Sequence, residues 1–90
     1  MVYVPPEYAN DRSAYERAIR DICHDRGQIY IVMFWNDRTK VWLARQSEMR
    51  DDQVAAQVAG YNRNPNSRLD NFFWLRDGNR TDVGPVLGGF

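Results

Sequence analysis

The chain has 90 residues, 43% apolar and 27% charged, with twelve basic and twelve acidic side chains that leave a net charge of zero. That composition excludes an intrinsically disordered chain, and the length fits one α+β domain over residues 1–90. Neutrality argues against a dedicated duplex-binding protein, whose affinity comes largely from a basic excess against phosphates. A single cysteine, Cys23, excludes an intrachain disulfide.

Residues 1–10 hold Pro5-Pro6 and read as an extended arm. "SAYERAIRDICHDRG" predicts a helix over 11–26: Ser13 and Glu16 have capping-box spacing, and Gly27 is placed to end it. Tyr15, Ala18, Ile19, Ile22 and Cys23 form one apolar stripe on that helix.

"IYIVMFW", residues 29–35, is apolar on both alternating faces and predicts a strand at the centre of a sheet. "NDRT" turns the chain, and "KVWLARQ" (40–46) predicts a second strand in a hairpin with the first. "SEMRDDQVAAQVAG" (47–60) predicts a second helix ended by Gly60, with a thin apolar stripe. "YNRNPNSRLDN" (61–71) reads as a long connection. "FFWLR" predicts a third strand, Asp77-Gly78 a tight turn, and residues 80–83 a short fourth strand before a glycine-rich tail, 84–90.

These elements imply an α+β fold with element order α-β-β-α-β(-β). The sheet would be mainly antiparallel in strand order 2-1-3-4, with a split βαβ unit and two helices on one face. The helices would cover Ile29, Ile31, Met33 and Trp35, leaving Tyr30, Val32 and Phe34 on a second face. An apolar face of that kind must be covered by a terminus, a second copy of the chain or a partner.

Chemistry is sparse. Cys23-His24 cannot act as a thiol–imidazole pair on one helix, because neighbours project about 100° apart. Cys23 is expected in the core and His24 in solvent near the helix C-terminus. Asp21/Asp25 and Asp51-Asp52 fall on polar helix faces, and "GPVLGG" opens no helix after a strand, so it lacks the context of a phosphate loop. The expectation is therefore a protein that is not an enzyme and uses no metal or cofactor.

Trp, Tyr and Arg dominate protein-interface hot spots, and this chain carries three, five and eleven of them. The expected function is a protein-binding module with another protein, or a homodimer copy, as partner. The candidate partner-binding residues are Tyr30, Phe34, Trp42, Tyr61, Arg63, Arg68, Phe72, Trp74 and Arg76. Small inhibitors made by phages and mobile elements, such as anti-CRISPR and anti-restriction proteins, share this size and absence of site chemistry. The rival reading is a single-stranded nucleic-acid binder that stacks bases on the sheet aromatics beside Arg45, Arg63, Arg68 and Arg76. No signal peptide and no run of about 20 apolar residues is present. The cytoplasm is the expected location, with no membrane partner.

Overall fold

A computed structural model describes residues 1–42 and 46–90. Val2–Tyr3, within the segment expected to be only an arm, forms an edge strand, β1, and a 3-10 turn follows at Pro6–Tyr8. Helix α1 spans Arg12–Ile22. Strand β2 spans Tyr30–Trp35, and the short helix α2 covers Asp51–Ala55. Strands β3 (Gln57–Asn64), β4 (Leu69–Arg76) and β5 (Asn79–Gly84) complete the fold.

The element order is thus β-α-β-α-β-β-β, and the five strands lie in sequential order, β1-β2-β3-β4-β5. This corrects both the expected α-β-β-α-β(-β) order and the 2-1-3-4 arrangement with its split βαβ unit. β1 pairs parallel to β2, and the remaining pairs form an antiparallel meander. A βαβ unit is present, but its strands are β1 and β2 and its crossover is α1.

The local reasons are specific. Asp11, not Ser13, caps α1: its Oδ1 accepts from Ser13 N at 3.0 Å and Ala14 N at 3.4 Å, and Glu16 pairs with Arg12 instead. The helix stops at Cys23, whose φ of −96° and ψ of 47° leave the helical region, so Gly27 is not its stop. The hairpin partner of β2 is β3, paired along Tyr30–Trp35, and β1 pairs on the other edge at Phe34 and Trp35, so the expected strand 40–46 is not the neighbour of β2. Its described part begins in a 3-10 turn at Arg38–Lys40 and forms no strand, and residues 43–45 lie outside the described ones.

The expected helix 47–60 gives way after one turn and a half because residues 57–64 alternate. Ala59, Tyr61 and Arg63 are buried on one side, while Gly60 and Asn62 face the other. Gly60 is not a helix terminator. It lies opposite Phe73 in the register, and a Cβ there would stand 2.3 Å from Phe73 Cζ, so the ring needs the space glycine leaves. The expected connection 61–71 is the end of β3, a 3-10 turn at Pro65–Ser67 and the start of β4. Asp77 (φ 51°) and Gly78 (φ 77°) make a two-residue turn with both φ positive, which joins β4 to β5.

Among the described residues, α1 is the helix that packs on the sheet. Tyr15, Ile19 and Cys23 lie against Val32, Phe34, Tyr61 and Phe72. Tyr15 is the centre of an aromatic cluster, with ring centroids 5.0 Å from Phe34, 5.5 Å from Phe72 and 5.1 Å from Trp74. Val2, Val4, Val86 and Leu87 extend the same layer, so both termini cover the α1 side. Trp35, displaced by a bulge after Phe34, is buried and donates through Nε1 to Gln53 O at 2.8 Å.

Candidate functional site

The sheet alternation falls opposite to the expected assignment. Tyr30, Val32 and Phe34 face α1, while Ile29, Ile31 and Met33 face away from it. Most of the candidate partner-binding residues consequently sit inside the protein. Phe34, Tyr61 and Phe72 are fully buried, and Tyr30 and Trp74 are half-buried against the same cluster. Trp42 is half-buried, and its indole N–H has no acceptor among the described residues. Arg45 lies outside the described residues.

The arginines divide sharply. Arg76 is held by the carbonyls of Val58, Leu75 and Ala9 and by Asn10 Oδ1, and it lies 4.8 Å over the Trp74 ring. It ties the sheet to the segment before α1. Arg63, 1% exposed, donates through Nε to Arg26 O at 3.2 Å and through Nη1 to Asp70 Oδ2 at 3.4 Å. Arg68 alone is exposed, in the left-handed region with φ 54°, at the corner that opens β4. Sequence reasoning set Arg63 and Arg68 together on one loop, but only Arg68 is at the surface.

Asp70 was not singled out in the sequence. Its side chain, 3% exposed, accepts from Tyr61 Oη at 2.6 Å, from Arg63, and from the backbone amides of Val86, Leu87 and Gly88. Burial pushes the Asp70 carboxyl up, but these donors together hold it below its ordinary value. Burial and the contact with Asp70 raise the Tyr61 hydroxyl pKa.

Cys23 is 1% exposed, and burial raises its thiol pKa despite the nearby Arg63 guanidinium. A buried thiol with a raised pKa is a poor nucleophile at neutral pH, while His24 is exposed. Cys23→Ser is expected to cost about 1–3 kcal/mol, for a hydroxyl placed in apolar surroundings without a partner. Urea unfolding followed by tryptophan fluorescence measures it, and unchanged stability would remove Cys23 from the core account. Among the described residues, no group of three or more His, Cys, Asp or Glu could hold a metal ion.

The surface that remains is the sheet face turned away from α1. On it Ile31 lies across from Asn62 and then Asn71, and Met33 lies across from Gly60 and then Phe73. Ile31 is 74% exposed and Ile29 57%, and Leu69 is also exposed. Phe73 is shielded by Arg80, whose guanidinium stands 3.8 Å over the ring and pairs with Asp82 at 2.9 Å. The face is therefore aliphatic and amide-rich, with one self-neutralised ion pair and no open aromatic ring at its centre. No family model, curated protein or solved structure matches this chain significantly. Among the described residues, no helix is long and apolar enough to cross a membrane.

Proposed function

We propose that this protein is a non-catalytic module that docks another protein on the open face of its sheet, around Ile31. The supporting observation is the exposure of Ile31, 74%, on a face where α1 and both termini pack on the opposite side. Aliphatic side chains flanked by asparagine amides suit a protein surface, which supplies both apolar contact and hydrogen-bond partners. A nucleic-acid strand would need unstacked rings and a basic excess, and the rings that sequence reasoning assigned to that task are packed under α1. A small domain that occupies a partner's surface acts by occlusion or tethering, which is the action of an inhibitor.

The test is capture from a nuclease-treated lysate by the tagged protein and by its Ile31→Arg variant. Wild type should retain a protein that the variant binds about tenfold more weakly or worse, equivalent to ~1.4 kcal/mol. The variant's stability should change by no more than about 1 kcal/mol, because the position is on the surface. Equal capture by both proteins, or capture that depends on nucleic acid, would overturn the reading.

A further inference from the structure

The C-terminal segment bends around one end of the sheet and leaves a concavity of about 430 Å³. Three arginines line it, Arg26 after α1, Arg63 in β3 and Arg68 at the β3–β4 corner, together with Pro65, Gly89 and Phe90. No acidic side chain is among its described lining residues. Asp70 balances Arg63 from within the protein. Arg26 donates to a neutral carbonyl, Leu87 O, at 2.9 Å, and among the described residues neither Arg26 nor Arg68 belongs to an ion pair. Two guanidinium groups thus stand unpaired in one hollow, bordered by Asp25, whose Oδ1 accepts from Gly27 N at 3.0 Å.

Arg63 adds a fixed element. It is 1% exposed, its Nε and Nη1 are engaged, and the Phe90 ring lies 4.6 Å from the guanidinium. Gly89 lets Arg26 approach closely: a Cβ at that position would stand 2.8 Å from Arg26 Nη1.

We infer that this concavity binds a phosphate group. A carboxylate is matched by one guanidinium fork, whereas a tetrahedral phosphate offers acceptors in several directions and takes donors from separate segments. Arg26 and Arg68 come from two such segments, and the enclosed Arg63 guanidinium adds its charge from behind them. This site is separate from the open sheet face, and its failure would leave the docking reading untouched.

The experiment is an NMR titration of the ¹⁵N-labelled chain with inorganic phosphate, with ionic strength held constant by chloride. Saturable shifts are expected at the Gly27, Arg68 and Gly89 amides and at the Arg26 and Arg63 side-chain Nε–H groups. Arg26→Ala and Arg68→Asn should each raise the midpoint about tenfold, the order expected for losing a charge-assisted contact. Both side chains are exposed, and asparagine tolerates the left-handed backbone at position 68, so unchanged spectra elsewhere verify folding. A parallel titration with a nucleoside monophosphate separates the sources. An equal midpoint assigns an isolated phosphate group, and a lower midpoint with shifts of the Phe90 ring assigns a nucleotide. Shifts that do not saturate, that spread over surface arginines generally, or that survive both substitutions would overturn the inference.

Discussion

Asp70→Ala is expected to destabilise the fold by about 3–5 kcal/mol, the range for leaving one partner of a buried ion pair uncompensated. Arg63 would remain enclosed with its charge unmatched. Tyr61 Oη would lose its acceptor, and the amides of Val86, Leu87 and Gly88 would lose the carboxylate that docks the tail. Urea denaturation gives the value, and a loss below about 1 kcal/mol, the level of an exposed pair, would show that the cluster is not a structural centre. The same carboxylate gives a pH signature. Its folded pKa is depressed below its ordinary value near 3.9. Its contribution is therefore fully present above about pH 4 and is lost as pH falls through the lower folded pKa. Wild type should weaken with acid over that window, and Asp70→Asn should lack this component of the acid dependence.

Tyr15→Ala should have a comparable effect, about 3–5 kcal/mol, for deleting a buried aromatic side chain. Its ring contacts Phe34, Phe72 and Trp74 together, so the substitution opens a cavity where helix and sheet meet, and also removes the hydrogen bond from Oη to Ala9 O at 2.7 Å. Tyr15→Phe separates the two contributions. It keeps the rings in contact and should cost only about 1 kcal/mol, the net worth of one hydrogen bond. Thermal unfolding of the pair of variants measures both, and equal losses would place the energy in the hydroxyl and not in the packing.

What could be read from the residues depended on whether periodicity was unambiguous. The α1 stripe from Tyr15 to Cys23 and the Asp77-Gly78 turn are local signals, and the structure contains both. The strand at 30–35 was also legible, but its facing was not. A strand apolar at every position carries no parity, and the choice is made by distant residues: Gly60 and Asn62 lie beside Met33 and Ile31, while Ala59 and Tyr61 lie beside Phe34 and Val32. Those neighbours were hidden because "DDQVAAQVAG" reads as a helix running into a glycine stop. The alternation Ala59-Tyr61-Arg63 was the available signal, and the arginine obscured it, since a charged residue in an inward series argues for solvent. Its partner Asp70 is adjacent only across the β3–β4 register. The same parity decides where the chosen aromatics sit: Tyr30, Phe34, Tyr61, Phe72 and Trp74 belong to the side that α1 covers.

The sequential strand order also has a consequence during synthesis. β3, β4 and β5 are joined by short turns, so their pairing needs little loop closure and can be rapid. They also follow α1 and β2 in synthesis. When α1 and β2 emerge, Tyr61, Phe72 and Trp74, which complete the layer beneath α1, are still unmade. The apolar run 30–35 must wait, unpaired on its β3 edge, for several seconds of elongation at about 5–20 residues per second. Folding of this domain is therefore coupled to synthesis of β3 and β4, and the nascent β2 segment is the apolar stretch exposed until then.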